Sequence, residues 1–410
     1  MDEVKKKNFI LINSLGGGGA ERQVSLISTL NEIDKIILLE PIVNYPIAKQ
    51  KLCFISTKTN STFNKIKILL TFPFKIKKIG LDRNTNLFCF LQFSYILGFL
   101  CKIIFKCNFI ICIRTSPIGF YKQYRGLKIP FFIYQFILNH ADKILCNSET
   151  SCLQLKSILN NNNIQSISNG YDIINIKNKA SEEIGEMESL FKNHEILITV
   201  GRLVHDKSQW NLIRIFSELR KKSPKLKLVI LGEGPLLESL ICLCNSLNLM
   251  AFNYSDTNIT MNNNYDVFFL GFVKNPYKYV SKSKLFILTS LYEGLPNVVI
   301  ESLIVNTPCV LSDCLTGPRE ILFPNADLLS QTNIEMIADY GILLPVFDGK
   351  EIFIKSKNNE TEKLWISSIS KLLSNENLYK KMKENCSNTK ERFNESAILA
   401  LWQSQFYYFL

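Results

Sequence analysis

Residues 8–22 read NFILINSLGGGGAER, and this stretch decides how the rest of the chain is interpreted. Its start, Asn8–Asn13, is an apolar run typical of a strand buried on both faces of a parallel sheet. Gly16–Gly19 then let a ligand approach the backbone closely, and the helix-like segment Glu21–Leu30 follows. Unpaired amides at a helix start favour phosphate. We therefore expect a β-α unit whose glycine turn binds phosphate, the alternative being a plain flexible turn.

The same alternation of strand-like and helix-like segments continues through both halves of the chain. Further runs that read as strands are Ile36–Leu39, Leu87–Leu91, Phe109–Ile113, Lys143–Cys146, Ile196–Val200, Leu226–Leu231, Val267–Leu270, Leu285–Thr289 and Cys309–Ser312. The polar residues 173–195 between them read as a linker. We predict an α/β protein with two Rossmann-like parallel-sheet domains facing a cleft, 1–180 and 190–390, and a last helix in 391–410.

Leu87–Phe105 is the most apolar stretch of the chain. Its uninterrupted part ends at Cys101, before Lys102, and is shorter than the ~18–20 residues that a membrane-spanning helix needs. The stretch also divides into a strand followed by a helix over Ser94–Phe105. We favour this buried β-α unit over a transmembrane helix.

Positive charge is concentrated in the first part of the chain. The formal charge is +12, and residues 1–180 hold 24 basic and 10 acidic side chains, whereas residues 181–410 hold 24 and 26. This excess suits a surface that faces the phosphates of nucleic acid, of an anionic membrane or of a lipid. Surface lysines that only keep the protein in solution are the alternative.

The twelve cysteines and three histidines argue against disulfides and zinc. No C-x-x-C pair occurs, and most cysteines stand inside apolar runs, as Cys89, Cys101 and Cys112 do. The apolar run Phe9–Leu15 is too short for a secretory signal. We therefore expect reduced cysteines, a cytoplasmic protein and no metal site.

Val200–Gln209, which reads VGRLVHDKSQ, places Arg202 and Lys207 just beyond a predicted strand. A guanidinium fork and an ammonium point charge at such a position suit a diphosphate. A solvated loop is the alternative, and His205 fits that loop better than it fits a catalytic base.

Ser290–Leu303, which reads SLYEGLPNVVIESL, is the most informative segment. Pro296 fits the first position of a helix whose first amides are left unpaired. Glu293 precedes that helix, and Glu301 lies five residues into it, about 7.5 Å along the axis. The amides suit an anion, and the carboxylates suit sugar hydroxyl groups. An unpaired carboxylate at Glu301 would be costly among its apolar neighbours, which favours a binding role.

Five motifs in this order resemble glycosyltransferase family 4, whose members are retaining enzymes of the GT-B fold. The matching segments are Gly18–Arg22 (GGAER), Asn169–Asp172 (N-G-h-D), Gly201–Lys207 (G-R-L with a following Lys), Gly232–Pro235 (G-x-G-P) and Glu293–Glu301 (E-G-L-P-N-x3-E). The next segment, 308–320, is similar to bacterial members that build surface polysaccharide. The resemblance covers most of the chain and implies the GT-B architecture, with the last helix crossing back to the first domain.

The resemblance implies roles for the charged residues. Arg202 and Lys207 would hold the donor diphosphate and stabilise it as it leaves. Glu293 would contact the donor sugar, and Glu301 would contact the ribose hydroxyls. Many members carry a histidine at a strand end of the first domain, where this sequence has CIRTSP. Arg114 therefore stands there as a possible contact to the sugar or the acceptor.

The resemblance also implies how donor and acceptor are bound. The amides that would hold phosphate and sugar belong to Gly18, Gly19, Leu295, Asn297 and Val298. Phe272 and Val273 would lie near the base. The donor would be a UDP-sugar, favoured over a GDP-sugar, that carries a hexose or an N-acetylhexosamine.

The implied reaction is a same-face displacement that retains anomeric configuration, in which the leaving phosphate helps to deprotonate the acceptor. No D-x-D occurs in the sequence, which argues against the metal-dependent GT-A class. We therefore expect no cofactor and no metal.

The acceptor is expected at the basic first domain. Its charge and the aromatic clusters Phe72–Phe74, Phe120–Tyr124 and Phe131–Phe132 suit a lipid-linked saccharide at an anionic membrane surface. The protein would then be peripheral at the inner face of the cytoplasmic membrane. O-antigen or capsule assembly is the pathway that the resemblance favours.

Three other functions fit part of the sequence. A sugar-nucleotide epimerase of the same fold usually needs more acid–base groups than this histidine-poor chain offers. A non-catalytic protein that binds sugar nucleotides or polyanions would not need all of Arg202, Lys207, Glu293 and Glu301. A nucleic-acid binder would explain the basic half but not the paired carboxylates, so we expect no nucleic-acid partner.

Overall fold

A computed structural model describes residues 6–55, 61–116, 131–256 and 261–407. The chain forms two compact units. The first unit comprises the residues up to Tyr171 and those from Phe393 onward, and the second unit comprises Asp172–Arg392. Each unit is built on its own sheet and has its own apolar core.

The first unit contains a seven-stranded parallel sheet in the order β3-β2-β1-β4-β5-β6-β7. The strands are β1 (Lys7–Ile12), β2 (Ile33–Leu38), β3 (Leu52–Phe54), β4 (Thr85–Phe90), β5 (Asn108–Ile113), β6 (Lys143–Cys146) and β7 (Ile164–Ser166). In β1, the residues Phe9–Ile12 are all buried, as expected for a strand covered on both faces. The order reverses between β1 and β4, which is the arrangement of a doubly wound fold.

Helices cover both faces of this sheet. They are α1 (Gly19–Ile27), α2 (Thr62–Ile79), α3 (Gln92–Phe105), α4 (Phe131–Asn139), α5 (Glu149–Lys156) and the last helix, α15 (Glu395–Phe406). One apolar core contains Phe72, Leu97 and Leu138, which come from α2, α3 and α4. The other core contains Val24 of α1 and Trp402 of α15.

The last helix packs on the first unit through its aromatic side chains. Trp402 stacks on Phe90 at 6.1 Å between ring centroids, and Phe406 meets Phe88 edge-on at 5.3 Å. The side-chain amide of Asn86 donates to the Phe406 carbonyl at 3.4 Å. The first unit therefore includes a helix that follows the second unit in sequence.

The second unit contains an eight-stranded sheet in the order β10-β11-β9-β8-β12-β13-β15-β14, parallel except for the β14–β15 pair. The strands are β8 (Glu195–Val200), β9 (Leu226–Leu231), β10 (Ala251–Asn253), β11 (Val267–Phe269), β12 (Leu285–Leu288), β13 (Cys309–Ser312), β14 (Met336–Ala338) and β15 (Gly341–Leu344). The helices are α6 (Ile173–Ala180), α7 (Glu188–Asn193), α8 (Gln209–Lys222), α9 (Leu237–Ser246), α10 (Tyr277–Val280), α11 (Asn297–Ile304), α12 (Pro318–Leu322), α13 (Glu360–Ser374) and α14 (Glu376–Asn385). These two sheets confirm the prediction of two Rossmann-like α/β domains.

Some predicted boundaries differ from the structure. The expected linker 173–195 contains α6, α7 and the start of β8, because apolar side chains such as Ile176 and Leu190 are buried there. The units divide at Tyr171 rather than near residue 180. Pro296 caps α11 instead of occupying its first turn.

The apolar stretch 87–105 forms most of β4 and all of α3, so the β-α interpretation was correct. Within the described parts of the chain, we find no helix with both the length and the apolarity needed to span a bilayer. Every cysteine is free, and most are buried. Of the three aromatic clusters, Phe120–Tyr124 lies outside the described residues.

Candidate active site

The second sheet reverses its strand order between β8 and β12, and both strands end in loops that carry predicted site residues. Gly201–Lys207 follows β8, and Ser290–Pro296 follows β12. Since the carboxyl ends of neighbouring parallel strands meet at one edge, these loops lie side by side. The switch point of this sheet is therefore the candidate active site.

Lys207 and Glu293 form an ion pair between the two loops. The Lys207 ammonium donates to Glu293 Oε1, and the Ser290 hydroxyl donates to the same oxygen at 2.7 Å. The Glu293 side chain is 9% exposed and that of Lys207 is 21% exposed. The structure thus brings together the two residues for which the motifs predict contacts to diphosphate and sugar, and the ammonium of Lys207 contacts the carboxylate of Glu293.

Backbone contacts fix the two loops against each other. The Thr289 hydroxyl donates to the carbonyls of Lys207 and Ser208 at 3.2 and 3.1 Å. The Leu291 amide donates to the Asp206 carbonyl at 2.8 Å. These bonds hold the ion pair on a defined backbone frame, which is what a preorganised site needs.

Two glycines allow neighbouring loops to approach this frame closely. A Cβ atom at Gly232 would lie 2.0 Å from the Gly201 carbonyl oxygen, and the φ of Gly232 is +138°. A Cβ atom at Gly317 would lie 2.3 Å from the Gly294 carbonyl oxygen, and the φ of Gly317 is +91°. Only glycine fits these two positions, so the loops after β9 and β13 pack directly on the site loops.

Arg202 follows β8 in the same loop as Lys207, and it is exposed. Its carbonyl accepts from the Gln209 side chain at 2.9 Å, which fixes the backbone. No hydrogen bond or ion pair of its guanidinium occurs with the residues that the structure describes. The side chain is therefore available to an anionic ligand.

Helix α11 and the turn before it carry the other residues of the central segment that are predicted to bind the donor. Leu295 is buried, and Asn297 and Val298 form the first turn, whose amides precede the intrahelical bonds. Glu301, on the same helix, is 8% exposed, and the Tyr277 hydroxyl lies 3.5 Å from its Oε1. Glu301 is thus a buried carboxylate with a neighbouring hydroxyl group, as its apolar sequence context predicts.

Phe272 and Val273 follow the strand β11. Phe272 is 76% exposed, and its amide donates to Glu233 Oε1 at 3.2 Å. Gly271, with a φ of +65°, turns the chain here and accepts from the Gly232 amide at 2.7 Å. The exposed ring stands next to the glycine loop, and its contact to a base stays a prediction.

In the first unit, the glycine turn begins α1 with Gly18 as the capping residue. The Glu21 carboxylate lies over this turn, 2.3 Å from where a Cβ of Gly18 would be, and accepts from the backbone amides of Gly18 and Glu21. Burial raises the pKa of Glu21 above 4.5, and these backbone bonds oppose the increase. A phosphate bound to the amides of Gly18 and Gly19 would compete with this carboxylate.

Arg114, also in the first unit, follows β5 and is 9% exposed. Its Nη1 donates to the Ile167 carbonyl at 3.1 Å and to Asn169 Oδ1 at 3.4 Å. Its guanidinium lies 5.1 Å from the Trp402 ring centroid. The structure therefore places Arg114 inside the unit rather than on its surface.

Several residues at the site were missed in the sequence. Ser290 lies three residues before Glu293, and this spacing in a turn is a signal that could have identified it. Thr316, which donates to the Glu293 carbonyl, stands in the segment 308–320 whose likeness to the family was noted without a role for this residue. Glu233 stands at the variable position of the G-x-G-P motif, which does not specify a glutamate, and Tyr277 lies in none of the five motifs.

Comparison with known proteins identifies the family. Residues 181–344 match glycosyl transferases group 1. An uncharacterized glycosyltransferase of Methanocaldococcus jannaschii is 30% identical over 395 residues, which cover 93% of each chain. The N-acetylgalactosamine-N,N'-diacetylbacillosaminyl-diphospho-undecaprenol 4-alpha-N-acetylgalactosaminyltransferase of Campylobacter jejuni is 31% identical, covering 77% of this chain and 83% of its own.

Solved structures show the same fold. Anabaena HepE, in complex with UDP and glucose, superposes with a TM-score of 0.71 at 14% identity, covering 98% of this chain and 99% of its own. Sucrose-phosphate synthase of Thermosynechococcus elongatus gives a TM-score of 0.70 at 16% identity, with 98% of each chain covered. From its two parallel-sheet units and its similarity to a relative along nearly the whole length, the chain belongs to the group 1 glycosyltransferases of the GT-B type.

Proposed function

We propose that this glycosyltransferase moves a hexose or an N-acetylhexosamine from a nucleotide sugar, with retention of anomeric configuration, to a polyprenyl-diphosphate-linked saccharide. The observation that carries the proposal is the Lys207–Glu293 ion pair at the switch point of the second sheet, where the loop of Lys207 also carries the exposed Arg202. This arrangement offers cations for a departing diphosphate and a carboxylate for a sugar.

The chemistry follows from where charge develops. As the sugar–phosphate bond breaks, negative charge grows on the diphosphate and positive charge on the sugar ring. Arg202 and Lys207 stabilise the diphosphate, and the amides of Leu295, Asn297 and Val298 donate to phosphate and sugar oxygens. Glu293 accepts from a sugar hydroxyl group while its other contact holds Lys207 in place. Loss of one such preorganised donor typically costs about 2.7–4 kcal/mol of barrier.

The nucleoside is proposed to lie against Glu301 and Phe272. The buried carboxylate of Glu301 accepts from the ribose hydroxyl groups, for which its low exposure and polar neighbour make it suitable. The exposed ring of Phe272 and the neighbouring Val273 contact the base. UDP is favoured over GDP, and the UDP complexes of the Anabaena protein support this choice.

The donor is tested by calorimetric titration of the purified protein with a panel of UDP- and GDP-sugars. We expect micromolar binding of one donor, and we expect Glu301→Ala to lose it while the protein stays folded. Glu376→Ala, on the exposed start of α14, is the matched control and should bind as the wild type does. If no donor binds and donor plus membrane extract gives no product, the transferase proposal is wrong.

The reaction is proposed to need no metal. The absence of a D-x-D motif from the sequence supports this, as does the presence of two cations at the proposed diphosphate site. Activity should persist in EDTA. Loss of activity in EDTA and its recovery on addition of Mn²⁺ would overturn metal independence without affecting the transferase assignment.

A lipid-linked acceptor is proposed from the relatives and from one face of the first unit. The Campylobacter jejuni relative is named for a diphospho-undecaprenol substrate. On α2, the exposed residues Phe63, Ile66, Leu70 and Phe74 recur at spacings of three and four, which places them on one face. The helix also carries five lysines and no acidic residue, a combination that suits an anionic membrane.

The neighbouring helices also expose apolar side chains. Helix α3 packs beside α2 and exposes Ile103 and Ile104, and α4 packs beside α3 and exposes Phe132 and Phe136. We propose that the protein binds peripherally at the inner face of the cytoplasmic membrane through these helices. O-antigen or capsule assembly is the proposed pathway, in line with relatives named for polysaccharide biosynthesis.

A further inference from the structure

Arg114 is a buried guanidinium with one edge unpartnered. Its Nη1 donates to Ile167 and Asn169, but Nε and Nη2 have no hydrogen-bond partner among the described residues. Those two nitrogens carry the N–H groups that point side by side along one edge of the planar fork. This is the edge that binds two oxygens of a carboxylate or a phosphate at once.

Two other buried arginines of this chain show how that edge is normally filled. Arg214 donates from Nε to Glu362 Oε1 at 2.5 Å and from Nη2 to Oε2 at 3.1 Å. Arg319 donates from Nε to Asp313 Oδ1 at 3.1 Å and from Nη2 to Oδ2. In each of these two arginines, the Nε–Nη2 edge binds a carboxylate of the same unit. Of the three buried arginines, only Arg114 has no partner among the described residues on this edge.

The residues that the structure describes around Arg114 hold its guanidinium in place but supply no negative charge to balance it. Its guanidinium lies over the rings of Phe90 at 5.5 Å and Trp402 at 5.1 Å. Burial lowers the pKa of Arg114, and the titratable groups around it are the uncharged side chains of Cys112, Cys146 and Tyr95. No ion pair joins it to a carboxylate in the described part of the chain. A buried charge without a counterion is costly, which favours a ligand that supplies one.

Further unpartnered polar atoms come from residues that follow the neighbouring strands. Asn147, after β6, donates to the Arg114 carbonyl at 3.4 Å, and its Oδ1 has no partner. The Ser168 hydroxyl, after β7, is also buried without a partner. These groups stand at the carboxyl edge of the first sheet, where doubly wound sheets bind ligands.

We infer that the Nε–Nη2 edge of Arg114 binds a two-oxygen anionic group of the substrate, a phosphate or a carboxylate, in the first unit. The inference rests on the proposed function, because it makes Arg114 a specificity residue of that reaction. Two sources share this chemistry: the diphosphate of a lipid-linked acceptor and the carboxylate of an acidic sugar.

Ligand-observed NMR titrations of the full chain separate the two sources. The probes are geranyl diphosphate and D-glucuronate, with geraniol and D-glucose as their neutral counterparts, all measured in saturating UDP so that the proposed diphosphate site of the second unit is filled. One of the two anions should bind, and Arg114→Lys, which keeps the charge but loses the fork, should weaken it by about tenfold or more. Arg83→Lys, at an exposed position of the same unit, is the matched control and should change nothing.

A second measurement does not depend on a variant that folds. The arginine Nε–Hε resonances of the wild-type protein should include one that shifts when the binding anion is added and stays in place with its neutral counterpart. A structural role of Arg114 alone would produce no such shift.

Each outcome decides the inference. Binding of geranyl diphosphate that depends on Arg114 supports the acceptor as the source, and binding of glucuronate supports an acidic sugar. Binding of neither anion, or equal binding by wild type and Arg114→Lys, overturns the inference. The donor panel described above is independent of Arg114, so a protein that binds a donor but neither anion refutes this inference and leaves the proposed function intact.

Discussion

Lys207 and Glu293 lie 86 residues apart in the sequence and meet in one ion pair. Because Lys207 is proposed to stabilise the leaving diphosphate, Lys207→Ala should lower kcat by about 10²–10³-fold, the typical loss for one preorganised donor. Initial rates at saturating donor measure this effect. Lys221→Ala removes a lysine from an exposed ion pair with Glu218 and should leave the rate within about twofold of the wild type. Equal losses in both variants would contradict the role of Lys207.

For individual residues, the sequence motifs predict which side chains face a ligand, but they do not predict which side chains contact each other. That Arg202, Lys207, Glu293 and Glu301 bind a ligand stays a prediction from the motifs, and the structure shows where these residues lie. The ion pair between Lys207 and Glu293 was not predicted, because local sequence patterns carry no information about a contact between residues 86 positions apart. The burial of Arg114 was missed for the same reason, because Trp402, which covers it, is far away in sequence.

The loops around the site pack closely against each other only because glycines stand at the points of contact. In Gly232→Ala, the new Cβ would collide with the Gly201 carbonyl and push away the loop that carries Arg202 and Lys207. Displacing catalytic groups by about 1 Å can cost roughly a hundredfold in rate, so kcat/KM should fall by about that factor.

Gly185→Ala is the matched control for this substitution. Gly185 also has a positive φ, +61°, but a Cβ there meets nothing within 4 Å. It should cost about 1–2 kcal/mol of stability from backbone strain and leave kcat/KM unchanged. A Gly232→Ala enzyme with normal kcat/KM would show that the close approach of these loops does not position the site.

Helix α2 is the element through which we expect membrane binding. Replacing Phe63, Leu70 and Phe74 together by Ser removes three side chains that are each more than 70% exposed, so the fold should survive. Co-sedimentation with vesicles of anionic lipid at low salt should then fall at least about tenfold. The same triple change at the exposed residues Ile334, Ile337 and Ile354 of the second unit is the control. Unchanged sedimentation of the α2 variant would refute this surface.

Among the strands and helices, those formed by long apolar runs were predicted well. Short strands, and a helix with apolar residues on all sides, were not. Strands such as β1, β5 and β9 bury all or nearly all of their residues, and this produces the continuous runs that the sequence shows. The three-residue strands β3, β7 and β10 are too short for any periodicity. Helix α2 was not assigned because apolar residues occur on its exposed face as well as on its buried face.

On the scale of the whole molecule, each unit has its own core, so damage to one core should stay in that unit. Trp402→Ala removes a fully buried ring from the first unit and should cost it about 3–5 kcal/mol. Hydrogen exchange should accelerate in β1 and β4 while β8 and β9 keep their protection. Trp365→Ala, in the core of the second unit, should give the reverse pattern. Accelerated exchange in both units for either variant would show that they unfold together.

The strand alternation predicted two parallel sheets, but it did not predict their strand order. The order in which strands pair is set by contacts between residues far apart in sequence, such as Phe9 with Leu87. Residues 173–195 were predicted as a linker because most of them are polar. A few apolar residues in this segment, Ile176 and Leu190 among them, are buried and hold its helices in the fold. Composition reports the average of a segment, whereas packing depends on individual positions.

Because the first unit takes its last helix from the far end of the chain, it is completed late in synthesis. The ribosome makes all of Asp172–Arg392 after Tyr171 and before Phe393. At about 5–20 residues per second, this takes roughly ten to forty seconds. During that time the rings of Phe88 and Phe90 lack the side chains of Trp402 and Phe406 that cover them in the finished protein. The nascent first unit therefore keeps apolar rings uncovered, a kind of surface that chaperones bind, until Trp402 and Phe406 have been translated.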